Sequence, residues 1–491
     1  MNMKKIIYLF TISFILMNGS SCLNLNVPQD SIINRTSMWK SEDDCVAAVY
    51  GMYGQLRIAM NRNYAYWGDY RAGAFNSSLA LGADISYMVT NTITSSNDGA
   101  NWASLYKTIN MANLILQYAP DVTFRSDDTK DWTLANAHFV RSFAYYYIAR
   151  VWGDAPLVVQ GFDSAEDPGI YPEMSSAQDI YTQVEDDLTR ALERMPQNMP
   201  GGKSTRTTAT LTTLNMFKAD FFMWMARTQE MGDYALNKAQ EGLDVVLSDG
   251  SLKLLAQYGE IFDASKKEAN SESIFVIRFS KDEYEGGFAS NYLFTDGTVN
   301  AADKELIADG TLAIGTGGGV VQRVTYSTDF EYFLYEEPTD QRAQVNYRVV
   351  TTPAKTYRYI NKYTGEWISG ARYFTSDIII YRLADAILYQ AELYNLRGET
   401  DRAIGELNKI AQRAYGVANF YAQGYTPEAV ENLILEERMK EFASEGKMWW
   451  DLIRFGQVFT RVESLKEREN EEGVLFWPIH DEARNKNPHI R

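Results

Sequence analysis

Two neighbouring segments between residues 381 and 416 repeat apolar or small side chains at the spacing of an amphipathic helix. Gly398 separates the segments, and Thr400 with Asp401 is placed to begin the second helix as its cap and first turn. The spacing of Ala391, Tyr394 and Gly398 fits a tetratricopeptide helix hairpin. A single hairpin of this kind cannot bury its own apolar face, so the pattern predicts further hairpins elsewhere in the chain. The repeated positions are Leu383, Ala384, Ile387, Leu388, Ala391 and Tyr394, then Ala403, Leu407, Ile410, Ala411 and Ala414.

Similar periodicity predicts helices along most of the remaining chain. The first begins near Glu42 with Ser41 as its cap, and the last begins at Pro427 after Thr426. The others are predicted at Trp102–Tyr118, Trp132–Trp152, Ser176–Met195, Thr208–Thr228 and Ala235–Leu247.

Two regions lack sustained helical periodicity. Ala65–Gly99 is aromatic and polar and is expected to form loops, and residues 250–374 hold only short β-rich pieces at Ser273–Phe279 and Arg372–Phe374. The predicted fold is therefore mainly α, with about four tetratricopeptide-like helix pairs over roughly 42–247 and 376–444. A long, irregular, loop-rich insertion over roughly 250–374 carries short β-strands, and residues 41–491 are expected to form a single domain.

The N-terminus has the features of an export signal. Lys4 and Lys5 precede an apolar run from Ile6 to Met17, and small residues stand immediately before Cys22. These residues resemble the lipobox of bacterial lipoproteins, which predicts a signal peptide at 1–21, a lipid on Cys22 and a tether over 22–40. Such a lipid would anchor the protein to a membrane without spanning it. The alternative is ordinary secretory cleavage that leaves Cys22 as a thiol or discards it.

The net charge and the numbers of Cys and His residues argue against several classes of partner and site. The formal net charge of −17 disfavours nucleic acid as a partner, because it repels phosphate. Cysteine and histidine are scarce, with two and three residues, which argues against a Cys/His zinc site and leaves little scope for histidine-based catalysis. We expect no metal and no cofactor.

Aromatic residues make up 13% of the chain, including 32 Tyr and 10 Trp, which is more than a helical core usually needs. Most would fill the core, but rings in polar loops suit stacking on sugar faces, and Asp, Asn and Arg beside them bind hydroxyl pairs. Two regions combine both features and are predicted to form a ligand surface. The first holds Trp67, Asp69, Tyr70, Arg71, Phe75, Tyr87 and Asn91. The second holds Tyr284, Phe288, Asn291, Tyr292 and Phe294, with Trp367 further along.

The acidic residues of the C-terminal half do not indicate catalysis. Glycoside hydrolysis needs two carboxyl groups that face one cleft, whereas here they alternate with arginines at helical spacing, which favours ion pairs. The glycine-rich stretch from Gly315 to Gly319 lacks the Lys-Ser/Thr of a phosphate-binding loop and is expected to be a flexible loop. The acidic residues concerned are Asp385, Glu392, Glu437, Glu441, Glu445 and Asp451.

Several motifs, in order along nearly the whole mature chain, resemble the SusD/RagB family of Bacteroidetes outer-membrane lipoproteins. They are Trp102-x-x-Leu105-Tyr106 with Ile109 and Asn113, Arg141-x-Phe143-x-Tyr145-Tyr146, Trp152-Gly153-Asp154-x-Pro156-Leu157, Tyr381-Arg382-x-Ala384-Asp385 with Ala391-Glu392, Glu437-Arg438-x-x-Glu441, Glu445-Gly446-Lys447, Trp450-Asp451-Leu452-x-Arg454, Pro478-Ile479 and Asn487-Pro488.

The resemblance implies a non-catalytic lipoprotein of the outer membrane that faces the cell exterior. It would lid a SusC-like TonB-dependent transporter and deliver an oligomeric nutrient, most often a glycan, bound by the two loop regions named above. Three alternatives remain open: the same architecture binding peptide or another nutrient, a surface glycosidase hidden in the insertion, and a scaffold without a ligand.

Overall fold

The computed structural model describes residues 38–76, 83–164, 169–202, 206–316 and 322–490. The predicted signal peptide, Cys22, most of the tether and the glycines at 317–319 lie outside these residues. Within them, no helix combines the length and apolar character needed to cross a bilayer.

Helices dominate the described chain. They are α1 (Glu42–Met60), α2 (Asn63–Gly68), α3 (Ala83–Val89), α4 (Ala103–Tyr118), α5 (Asp127–Trp152), α6 (Ala177–Arg194), α7 (Leu211–Thr228), α8 (Gly232–Leu247), α9 (Glu305–Ala308), α10 (Thr328–Leu334), α11 (Arg342–Asn346), α12 (Leu383–Leu396), α13 (Thr400–Tyr415), α14 (Pro427–Glu441), α15 (Met448–Arg454), α16 (Val458–Arg461) and α17 (Asp481–Lys486).

Eight of these helices pack as the four pairs that the periodicity predicted: α1 with α4, α5 with α6, α7 with α8, and α12 with α13. The pairs stack through contacts of α6 with α7 and of α12 with α8, and α14 covers the last pair. The prediction of a mainly helical, tetratricopeptide-like fold is confirmed.

The helices differ from the sequence predictions in two respects: the cap of α13 and the presence of two helices in a predicted loop region. Thr400 is the first residue of α13, and Glu399 occupies the cap position without a side-chain cap. The region 65–99 is not all loop, because α2 buries Trp67 and α3 buries Met88 within it. Both helices are too short for their periodicity to stand out. Ser41 caps α1 as predicted, and α14 begins at Pro427 as predicted, with Thr426 as its cap.

The strands are short and pair two by two. They are β1 (Ala155–Pro156), β2 (Met174–Ser175), β3 (Ser273–Ile277), β4 (Phe294–Thr295), β5 (Ile314–Gly315), β6 (Tyr347–Thr351), β7 (Thr356–Ile360), β8 (Glu366–Ile368), β9 (Ala371–Tyr373) and β10 (Ile378–Arg382). The pairing of β10 with β3 is antiparallel, with Ile378 opposite Ile277, and it returns the chain from the insertion to α12.

A buried network of ion pairs joins the insertion to the helical repeats. Arg382, at the end of β10, contacts Glu272 at 2.8 Å and Glu441 at 2.5 Å. Glu441 also forms ion pairs with Arg342 and Arg413. Burial alone would raise the pKa of Glu441, but these arginines hold it well below its usual range. The acidic residues of the C-terminal half are thus partners of buried basic side chains, in line with the ion pairs that the sequence predicted.

Candidate ligand-binding groove

A polar groove of about 540 Å³ opens where the first helix pair meets the insertion. Trp39, just before α1, packs on Tyr118 at the far end of α4, so the two helices run antiparallel. The residues that follow α1 and those that precede α4 therefore lie at the same end of the pair. The groove is lined by Ile58, Asn61, Arg62, Asn63, Tyr66, Asp98, Asn101, Ala103, Ser104, Lys107, Tyr284, Glu285 and Gly287.

Tyr284 supplies the exposed aromatic ring of the groove and was predicted as a ligand contact. Tyr284 is 37% exposed, and the Arg57 guanidinium lies over its ring at 5.5 Å from the centroid. Arg57 is itself fixed by Glu283 at 2.7 Å, and this hydrogen bond lowers the pKa of Glu283. The Asn61 amide donates to the Tyr284 hydroxyl at 3.4 Å. The ring is thus held at a set angle with part of its surface facing solvent.

Amide and carboxylate groups line the groove together with this ring. Asn61 accepts the Phe288 N–H at 3.4 Å, and Glu285 accepts the Phe374 N–H at 2.8 Å through one carboxylate oxygen. Asn101 accepts the Ala103 N–H at 2.9 Å, which fixes its side chain at the start of α4. Asp98 is exposed nearby. Side chains of these types bind pairs of hydroxyl groups, so the groove suits a hydroxyl-rich ligand.

Charged groups meet at the base of the groove. Burial raises the pKa of the Tyr66 hydroxyl, Arg62 opposes this shift, and Asp98 adds to it. Both Arg62 and Asp98 therefore act on the same phenol. Arg62 and Lys107 are exposed, and both line the groove.

Eight of the eleven residues predicted to bind ligand are buried, which corrects that part of the sequence interpretation. Their side chains have no surface on which a ligand could rest, because the loop that carries most of them folds into the core. They are Trp67, Asp69, Tyr70, Arg71, Phe75, Asn91, Asn291 and Tyr292. Phe288, named beside them, is buried as well.

Distant partners explain how such polar residues are buried. The Trp67 indole donates to the Gly99 carbonyl at 2.8 Å and packs edge-on against Trp152. Arg71 donates to Asn91 at 2.8 Å and stacks over Trp449 at 4.3 Å. These hydrogen bonds inside the protein replace those that the buried side chains would make with water, so their burial costs little free energy.

Asp69 is the most unusual of the buried set. One carboxylate oxygen accepts the Gly446 N–H at 2.7 Å, while the other has no hydrogen-bond partner among the described residues. Burial raises the pKa of Asp69 to about 7 in spite of that hydrogen bond. The group belongs to the junction between α2 and the turn before α15.

The remaining predicted residues lie apart from the groove. Tyr87 is exposed and Phe294 is half-buried, and neither lines it. Trp367 is exposed on β8, with the Arg372 guanidinium 5.1 Å from its ring centroid. Of the two predicted regions, the structure thus brings only Tyr284 into the groove.

An apolar recess of about 620 Å³ adjoins the groove along α4. It shares Asn101, Ala103 and Lys107 with the groove, and its other walls include Ile109 and Phe162. The exposed surface of the recess is mostly apolar, whereas that of the groove is mostly polar, so the groove is the better candidate for a hydroxyl-rich ligand.

Sequence reasoning missed most of the groove. Asn61, Arg62 and Asn63 follow the end of α1, and Asp98 and Asn101 precede α4. A signal was present, since polar residues that flank an antiparallel helix pair share one end of it. Glu285 could have been found only through its neighbour Tyr284.

Two family models match separate parts of the chain. One, described as the SusD family, matches residues 291–491, and the other, described as starch-binding associating with outer membrane, matches residues 34–213. The chain is 26% identical to SusD-like protein P38 of Formosa agariphila, over 97% of this chain and 95% of the relative. It is 22% identical to the starch-binding protein SusD of Bacteroides thetaiotaomicron, over 66% and 64% of the two chains. A crystal structure of a SusD superfamily protein from Bacteroides fragilis superposes with a TM-score of 0.78 at 25% identity, over 92% of this chain and 98% of that one.

Proposed function

Because this chain belongs to the SusD/RagB family, we propose that it binds extracellular oligosaccharide at the outer membrane and passes it to a SusC-like TonB-dependent transporter. The observation that carries the proposal is the groove, in which the exposed Tyr284 ring stands beside the amides and carboxylates of Asn61, Asp98 and Asn101. The relative named as a starch-binding protein supports a carbohydrate as the ligand class.

Affinity in this groove would come from two kinds of contact. The exposed part of the Tyr284 ring offers a flat surface for the C–H face of a pyranose. Asn61 and Glu285 are each held by a backbone N–H, so little side-chain entropy is lost when they bind a hydroxyl group. A largely preformed surface of this kind favours recognition of a rigid sugar ring.

We propose a non-catalytic role. The acidic residues of the C-terminal motifs, among them Glu437, Glu441 and Glu445, are buried and paired with basic side chains, out of reach of a polymeric substrate. We further propose that Cys22 carries a lipid that anchors the protein, facing the cell exterior. A labelled glycan incubated with the protein should release no product.

The test is retardation of the purified protein in native gels that contain plant, host or microbial polysaccharides. At least one polysaccharide should retard it, and Tyr284→Ala should weaken that retardation. Tyr332→Ala is the matched control, since Tyr332 is 71% exposed and does not line the groove. If no polysaccharide retards the protein and peptides are retained instead, a carbohydrate ligand is refuted. If Tyr332→Ala weakens retardation as much as Tyr284→Ala, the groove is not the site.

A further inference from the structure

The groove contains basic side chains that the protein does not neutralise. The chain has 64 Asp and Glu against 47 Lys and Arg, so carboxylates are plentiful. On the borders of the groove, Arg57 pairs with Glu283 at 2.7 Å and Lys486 pairs with Glu482 at 2.5 Å. Arg62 and Lys107, which line the groove, form no ion pair or side-chain hydrogen bond with any described residue.

The carboxylates that line the groove do not form ion pairs with Arg62 or Lys107. Neither Asp98 nor Glu285 lies within ion-pair distance of Arg62 or Lys107, although all four line the same concavity. Glu285 is turned toward the backbone of Phe374, whose N–H it accepts. Two positive charges that line the groove are therefore presented to solvent.

We infer that the natural ligand of the groove is an anionic oligosaccharide, whose carboxylate or sulfate groups are bound by Arg62 and Lys107. This inference rests on the proposed function and assigns its substrate class. A guanidinium matches the two oxygens of a carboxylate or sulfate with parallel hydrogen bonds, and an ammonium serves as a point charge for a second group along the chain. Neutral hydroxyl groups would be left to Asn61, Asp98 and Asn101.

The negative net charge of the protein does not prevent short-range binding of an anionic ligand. A net charge of −17 repels an acidic polymer at long range, but salt screens that repulsion beyond about 8 Å at physiological ionic strength. Contacts at hydrogen-bond distance decide binding under these conditions. Affinity for an anionic sugar should still fall as salt rises further, because Arg62 and Lys107 are themselves exposed.

The experiment compares matched ligands by isothermal titration calorimetry. Oligomers of polygalacturonate are measured against the same oligomers after reduction of their carboxyl groups, and sulfated galactan oligomers against their desulfated form. The protein should bind the anionic member of at least one pair about tenfold more tightly than its neutral counterpart. The pair that shows the preference tells whether carboxylate or sulfate is the recognised group.

Variants assign the preference to the groove. Arg62→Gln and Lys107→Gln should each reduce the preference for the anionic member to within about threefold. Arg484→Gln and Lys253→Gln are the controls, since both side chains are exposed, outside the groove and without an ion-pair partner in the described chain. Neither control should alter the preference.

The outcomes separate the inference from the function on which it rests. If neutral and anionic members bind equally well, or if the preference survives Arg62→Gln and Lys107→Gln together, the anionic ligand is refuted while carbohydrate binding stands. If no member of either pair and no other polysaccharide binds, both proposals fall.

Discussion

Gly68 lies so close to Gly446 that a methyl group on Gly68 would come within 1.9 Å of the Gly446 carbonyl oxygen. The two glycines join the end of α2 to the turn before α15, next to the hydrogen bond from the Gly446 N–H to Asp69. Gly446 has a φ of +66°, a conformation that other residues adopt only with strain. This junction fixes the segment that follows α1 against the C-terminal helices.

Gly68→Ala should lower the free energy of unfolding by about 3 kcal/mol, because the added methyl must displace backbone that cannot yield as a flexible side chain does. Gly54→Ala is the control, since a Cβ at Gly54 in α1 meets nothing within 4 Å. That change should stabilise the protein by about 0.5 kcal/mol through helix propensity. Urea unfolding of both variants measures the difference, and equal stabilities would contradict the close approach.

The free energy of unfolding of Asp69→Asn, measured relative to that of the unaltered protein, should increase as pH rises. Burial raises the pKa of Asp69 to about 7, whereas an unfolded Asp has a pKa near 3.8. The folded state therefore binds more protons than the unfolded state between these values, and the contribution of Asp69 to stability falls as pH rises through them. Between pH 5 and pH 8 the difference should move in favour of the variant by on the order of 2 kcal/mol.

Urea unfolding of both proteins at a series of pH values gives this difference. Other titrating groups are common to the two proteins and cancel, so a difference that stays constant from pH 5 to pH 8 would show that the Asp69 pKa is not raised.

Glu441→Gln should lower the free energy of unfolding by about 3 to 5 kcal/mol, because it removes a buried counter-charge that the guanidinium groups of Arg342, Arg382 and Arg413 share. Asp186→Asn, which breaks an exposed pair with Arg190, should cost less than about 1 kcal/mol. Thermal or urea unfolding compares the two. Any glycan that retards the protein should bind folded Glu441→Gln as before, whereas a loss of binding without a loss of stability would indicate that Glu441 contacts the ligand.

Tyr284→Phe should keep glycan affinity within about threefold, because the ring remains and only the 3.4 Å contact with Asn61 is lost. Tyr284→Ala should reduce affinity about tenfold. Titration of the glycan identified by gel retardation measures both. If Phe and Ala weaken binding equally, the hydroxyl and not the ring face is what the ligand contacts.

The helical repeats could be predicted from sequence because each helix shows its buried face locally. Ala403, Leu407 and Ile410 recur at helical spacing and are all buried in α13. That spacing records which side of a helix avoids water, so it requires no knowledge of distant residues.

The site could not be predicted in the same way. Trp67, Asp69 and Arg71 look like a polar loop with an aromatic ring, but their partners Gly99, Gly446 and Asn91 are remote in sequence and satisfy them internally. Burial of a polar side chain depends on such partners, which local composition does not show. Tyr284 stays exposed and is the residue of that predicted set that lines the candidate groove.

The groove takes its walls from two segments that are 223 positions apart in the chain, one carrying Asn61 and the other Tyr284. A ligand bound between them acts as a reversible cross-link across the seam between the first helix pair and the insertion. By thermodynamic linkage, ligand at a hundred times its dissociation constant adds about 2.7 kcal/mol to the free energy of any unfolding that destroys the groove. Amide hydrogen exchange should therefore slow in both segments when ligand binds. Ligand binding could thus be followed through the backbone of two segments that are distant in sequence.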